Sequence, residues 1–181
     1  MKELDEDRYH HTQGVMYTSA ALAMRYGADL KKALLAGLLH DCAKCIPEHT
    51  KIKMCEKYNL EISEIERKNP SLLHAKLGAY LAKDKYDIED EEILMAIRSH
   101  TTGRPGMSLL EKIVYIADYM EPGRKELPNM MDVRHLAFED IDKCLYRILR
   151  DSLVYLKAQD MPIDQTTEET YQYYNELYSK H

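Results

Sequence analysis

The chain has 181 residues with a formal net charge of −6, 45% hydrophobic and 31% charged, which fits one globular domain and excludes a disordered chain. The negative charge disfavours nucleic acid as a bulk partner, since phosphate backbones are bound by positive faces, but leaves room for a small phosphorylated ligand held by a few local Arg and Lys residues. No apolar run approaches the roughly 20 residues that span a bilayer, and the start, Met1-Lys2-Glu3-Leu4-Asp5-Glu6-Asp7, is acidic where a signal peptide is basic and then apolar, so no membrane partner and a cytoplasmic location are expected.

Helical periodicity runs through nearly every segment, and an all-α fold is expected. A first helix over about residues 7–26, stopped by Gly27, carries the apolar stripe Val15, Ser19, Leu22, Ala23, Tyr26. Four residues back from Val15, His11 falls on the same inward face, with His10 about 100° away. Asp29 caps the next helix, whose run over 33–39 is apolar on nearly every side and is expected in the middle of the domain. It ends in His40-Asp41. A carboxylate buried there needs a cation or strong donors; the alternative is a helix end that surfaces, with Asp41 solvated.

Cys42, Cys45, Cys55 and Cys144 are too few and irregular for a disulfide framework, and Cys42-Ala43-Lys44-Cys45 has no second pair at zinc-ribbon distance. After a break over 43–49, a polar helix over about 51–58 is expected at the rim. A short piece over 63–68 ends before Asn69-Pro70. Ser71 is the expected cap of a helix to about residue 86, with the stripe His74, Leu77, Gly78, Leu81 and a close helix approach at Gly78. Asp90 opens a helix with the inner face Ile93, Ala96, Ile97, His100. A Gly- and Pro-punctuated turn over 101–106 follows. The capping box Ser108-Leu109-Leu110-Glu111 starts a helix with Leu110, Val114, Ala117 and Asp118 along one side. Pro122-Gly123 stops it, and a loop through Arg124 and Pro128 leads to one long core helix over 138–158. A capping box over 166–169 then opens a Tyr-rich helix that packs on the outside or on a partner.

His11, His40 with Asp41, His74, His100 and Asp118 thus place inward polar side chains on five helices. Imidazoles and carboxylates in an apolar shell suit a divalent transition metal, and a cysteine-free N/O set points to an open catalytic centre rather than structural zinc.

His11, then His40-Asp41, then Asp118 resembles the H…HD…D signature of the HD-domain metal-dependent phosphohydrolases. The stretches over 8–15, 39–44, 100–107 and 115–122 resemble its YqeK-type branch, the symmetrical bis(5′-nucleosyl)-tetraphosphate hydrolases, over about residues 8–156. The resemblance implies an all-α HD-domain bundle around a buried metal site. Residues 1–160 are read as the phosphohydrolase domain and 161–181 as a helical tail packed on it. The implied reaction is symmetrical hydrolysis of diadenosine tetraphosphate to two ADP, with iron, or a similar ion such as Mn, Co or Ni, held by His11, His40, Asp41 and Asp118 and activating the attacking water. Arg8, Lys44 and Arg124 are then the cations that meet the phosphates, with Arg104 a weaker candidate. Asp41, His74 and His100 are assigned to catalysis, and together with Asp118 to substrate binding. The two histidines are read as phosphate contacts or proton donors in preference to ligands of a second metal. The tail, with Met161-Pro162-Ile163 before it, would either wall an adenine pocket or close a homodimer interface. Two rivals remain open: an HD enzyme of another nucleotide, and a nucleotide-binding helical module without turnover.

Overall fold

The computed structural model describes residues 5–178; Met1-Lys2-Glu3-Leu4, the first part of the acidic start, and the last three residues of the tail lie outside them. Among the described residues there are ten α-helices, one 3-10 turn and no strand: α1 Glu6–Tyr26, α2 Leu30–Leu39, α3 Glu48–Lys57, α4 Glu64–Lys68, the 3-10 turn Pro70–Leu72, α5 Leu73–Tyr86, α6 Glu91–Ser99, α7 Leu109–Met120, α8 Met130–Glu139, α9 Ile141–Ala158 and α10 Gln165–Tyr178. None of these helices is long and apolar enough to cross a membrane.

Local chemistry sets most of the boundaries. Asp5, Asp29 and Asp90 accept backbone N–H groups at the starts of α1, α2 and α6, and Ser108 with Glu111 forms the expected capping box of α7. Gly27, at φ 71°, ends α1 in the left-handed region. The main core joins Val15, Leu22 and Ala23 of α1 to Ala33 and Ala36 of α2, Ala96 and Ile97 of α6, Val114 and Ala117 of α7, and Leu145 and Ile148 of α9. Helix α2 packs against α1, α6 and α7, so its C-terminal end opens where their inner faces meet. A smaller cluster of Ala43, Cys55, Leu73 and Leu77 fastens α3 to α5. Cys55 and Cys144 are buried.

Several sequence expectations need correction. Helix α2 is not buried all round: Leu35 and Leu38 are 37% and 44% exposed, because its neighbours cover only the face of Ala33, Ala36 and Gly37. Ser71 does not cap α5, since the 3-10 turn at Pro70 precedes that helix and its boundary has no side-chain cap. The long helix expected over 138–158 is two helices. Asp140 adopts an extended conformation, ends α8 and accepts the N–H groups of Asp142 and Lys143 at the start of α9. At α10 it is Asp164, not Thr166, whose side chain takes the first backbone N–H. The rim helix α3 buries Lys51, 3% exposed, beside Cys55. Tyr174 of α10 is part of the main core, and its hydroxyl accepts the Met107 N–H at 3.0 Å.

Candidate metal centre

Five helices each deliver a polar side chain to one point. His11 projects from the interior of α1, His40 caps α2 with Asp41 next to it, His74 stands in the first turn of α5, His100 caps α6, and Asp118 lies near the end of α7. His11 Nε2 lies 3.0 Å from Asp118 Oδ1, 3.3 Å from His40 Nε2 and 3.8 Å from Asp41 Oδ2. His40 Nε2 lies 3.6 Å from Asp41 Oδ2 and 3.8 Å from Asp118 Oδ1. Donors bound about 2.0–2.2 Å from one cation stand roughly 3–4 Å apart, and these four side chains have that spacing.

The other oxygen of Asp41 faces the opposite way. Asp41 Oδ1 is 3.2 Å from His74 Nε2 and 3.5 Å from His100 Nε2, and the two Nε2 atoms are 3.1 Å apart. The Thr101 hydroxyl lies 3.2 Å from each of them.

Tautomers follow from the acceptors behind each ring. His40, His74 and His100 point Nδ1 at the carbonyls of Gly37, Ser71 and Ile97 at 2.7, 2.5 and 2.7 Å, and a carbonyl only accepts. His11 points Nδ1 at the Glu121 carboxylate at 3.1 Å. Every Nδ1 therefore carries the proton and every neutral ring turns an Nε2 lone pair inward. With neutral rings, four Nε2 lone pairs and two carboxylates face one another, and Asp41 Oδ1 is buried without a hydrogen-bond partner, an arrangement that positive charge among them stabilises. The residues thus fit a divalent metal.

The electrostatics agree. Burial opposes ionisation of Asp41, but positive charge drawn to the imidazoles of His100 and His74 outweighs it and holds the carboxyl far below the usual range, and Asp41 in turn lifts His100 above its ordinary value against complete burial; a bound cation would supply that charge in place of the proton. For Asp118 burial is likewise overcome, here by His11 and His40. Complete burial pushes the His40 imidazole down to about 4, despite Asp118, which keeps the ring neutral and ready to donate its lone pair.

The expected cations ring this centre. Arg8 Nη1 donates to Asp41 Oδ2 at 2.7 Å, the Lys44 ammonium lies 3.4 Å from His74 Nε2, and Arg124 donates to the Asp118 carbonyl at 2.8 Å and to its carboxylate. An open cavity of about 420 Å³ adjoins them, lined by His100, Thr101, Asp118, Tyr119 and Arg124 among others. Arg104 is not part of this ring. Its guanidinium is paired with Glu111 at 2.7 and 2.6 Å, so its charge is already neutralised. His10 is exposed, as its angle on α1 requires. Sequence reasoning missed Thr101, next to His100, and Glu121, three residues beyond Asp118 and hence on its side of the helix end.

The HD domain profile matches residues 8–123. The chain is 42% identical over 94% of its length, and 90% of the relative's, to the symmetrical bis(5′-nucleosyl)-tetraphosphatase of Bacillus subtilis (strain 168). It is 36% identical, over 96% of its length and 90% of the relative's, to the protein of that name in Staphylococcus aureus (strain NCTC 8325 / PS 47). Among solved structures, a crystal structure from Clostridium acetobutylicum titled a "predicted HD superfamily hydrolase involved in NAD metabolism" superposes with a TM-score of 0.94 at 42% identity, covering 98% of this chain and 93% of that one. With its donor set spread over five helices and matched across nearly the whole length, the chain belongs to the HD domain family.

Proposed function

We propose that the protein hydrolyses dinucleoside tetraphosphates, diadenosine tetraphosphate foremost, symmetrically to two nucleoside diphosphates. The observation that carries this reading is the convergence of His11, His40, Asp41 and Asp118 on one point at 3.0–3.8 Å, ringed by cations. A divalent ion held there, iron by preference, would lower the pKa of a bound water and polarise a phosphoryl oxygen. Arg8, Lys44 and Arg124 take the phosphates, neutralising charge that grows in the transition state. Arg124 is itself held by the Asp118 carbonyl, so substrate and ion are positioned by the same helix end. Thr101 offers its hydroxyl to a phosphate oxygen at the cavity mouth.

A specific observation favours a second ion at His74 and His100 over phosphate contact or proton donation. Both Nδ1–H groups are engaged by carbonyls, so the two Nε2 atoms converge with Asp41 Oδ1, which has no hydrogen-bond partner, beside the Thr101 hydroxyl and the Lys44 ammonium. His74, His100 and Asp41 would then hold a second ion, whose chemistry is to offset charge on the phosphoryl oxygens. The exposed Tyr17 and Met24 on α1 and Leu35 and Leu38 on α2 support a homodimer.

Full-length protein supplied with ferrous ion should convert diadenosine tetraphosphate to ADP alone, read by chromatography of the products. AMP with ATP would mean asymmetric cleavage and overturn the reading. Asp41→Ala should abolish hydrolysis while nucleotide binding persists; nucleotide binding without hydrolysis by wild type and variant alike would leave only a binding module.

A further inference from the structure

The four histidines of the centre are not supported alike. His40 and His100 cap their helices, where the last carbonyls lack an intrahelical partner, so Gly37 and Ile97 are free to accept Nδ1–H. His74 stands at the junction of the 3-10 turn with α5 and uses Ser71 in the same way. His11 is different. It lies inside the 21-residue α1, where the carbonyls behind it are taken by the helix ladder, and it must find its acceptor elsewhere. That acceptor is Glu121, just past the end of α7 and 110 residues away in sequence.

Glu121 is 2% exposed, which is costly for a carboxylate unless its oxygens are bonded. One oxygen, Oε1, takes His11 Nδ1–H at 3.1 Å, and the other, Oε2, takes the Gly123 N–H at 2.5 Å. Arg134 fixes the backbone around it through the Met120 and Glu121 carbonyls. The space for it is built by absence of side chains: a Cβ on Gly14 would overlap Oε2 and stand 2.9 Å from Cδ, and a Cβ on Gly123 would stand 3.0 Å from Oε2. Gly14 lies three residues after His11, on the same face of α1.

We propose that Glu121 is a positioning residue for the metal centre, which locks His11 in the Nδ1–H tautomer, aims its Nε2 at the ion and raises its donor strength. Gly14 and Gly123 form the slot that lets it do so. The proposal rests on the metal-centre reading above. A carboxylate behind a ligating imidazole is worth a 10- to 100-fold change in metal affinity, on the order seen for such outer partners. Glutamine cannot replace it, because it has one acceptor oxygen where Glu121 has two engaged. If that oxygen serves Gly123, its amide NH₂ faces Nδ1 and drives the proton to Nε2, which removes the lone pair a metal needs.

The test uses the full chain and Co²⁺ alone, titrated calorimetrically and followed through its visible absorption. Wild type should bind, His11→Ala should lose the site, and Glu121→Gln should bind roughly 10- to 100-fold more weakly with a shifted Co²⁺ spectrum and an unfolding temperature close to that of the metal-free wild type. Equal affinity and spectrum for Glu121→Gln would overturn the proposal while leaving the metal centre intact. Failure of wild type to bind, or equal binding by His11→Ala, would overturn the metal-centre reading and the proposal with it. Should Glu121→Gln fail to fold, long-range ¹H–¹⁵N spectra of the metal-free wild type decide: the His11 ring must show the Nδ1–H tautomer, and an Nε2–H ring refutes the role given to Glu121.

Discussion

Arg8 donates to the same Asp41 oxygen, Oδ2, that faces His11 and His40, at 2.7 Å. Its guanidinium is partly open to solvent, whereas Asp41 is buried. Arg8 therefore bridges the donor set and the surface from which a polyphosphate must arrive. Removing a hydrogen bond to a charged group costs about 1.5–3 kcal/mol. Arg8→Ala is accordingly expected to lower kcat/KM for diadenosine tetraphosphate roughly 10- to 150-fold. Arg8→Lys should fall between, since an ammonium keeps the charge but not the planar fork. Steady-state kinetics that leave Arg8→Ala within twofold of wild type would exclude a phosphate role.

Gly37 sets how closely α1 and α2 approach. A Cβ there would stand 2.9 Å from Met16 Cα and 3.2 Å from Met16 N, and helix backbone cannot swing aside as a side chain can. Overpacking of this kind costs about 1–3 kcal/mol, which outweighs the gain of about 1 kcal/mol from placing alanine in a helix. Because the Gly37 carbonyl also holds His40 Nδ1, Gly37→Ala should both lower the denaturant midpoint and weaken metal binding. A variant as stable as wild type would show that the helices separate without cost.

The positions of His11, His40-Asp41, His100 and Asp118 were legible because the 3.6-residue period assigns each side chain to a face, and all these faces proved to be inner ones. The break at Asp140 was not. Apolar residues continue through Ala137, Ile141, Cys144 and Leu145, all buried, so the pattern runs on across a junction marked only by the Asp140 cap. Leu35 and Leu38 misled for the converse reason: an apolar run says that a face can be buried, not that a neighbour exists to bury it. Glu121 escaped notice because its partner is 110 residues away, and no local period links a residue beyond one helix to the middle of another.

Glu111 gives a pH dependence away from the metal centre. Burial opposes its ionisation, but the Arg104 guanidinium, the Ser108 N–H and the Ser99 hydroxyl overcome this and hold the carboxyl below its ordinary value. In the unfolded chain it titrates near about 4.3. A pKa depressed by folding contributes stability that is complete above the unfolded value and is lost as pH falls through the folded one. Glu111→Gln should therefore lower the unfolding temperature most at neutral pH, and the gap to wild type should narrow below about pH 4. A gap that stays constant down to pH 3 would contradict the ion-paired state of Glu111.

The number of ions bound separates the two roles open to His74 and His100. Their Nε2 atoms, 3.1 Å apart, converge with Asp41 Oδ1 on one small volume, a donor spacing that suits a second ion. Wild type loaded with Mn²⁺ or Fe²⁺ should thus carry two ions per chain by elemental analysis. His100→Ala should carry one, with hydrolysis reduced by two orders of magnitude or more, on the scale seen when transition-state charge stabilisation is removed. Asp118→Ala should instead deplete the ion at His11 and His40, because its carboxylate reaches that side alone. A single ion in wild type, unchanged in His100→Ala, would return both histidines to phosphate contact and proton donation.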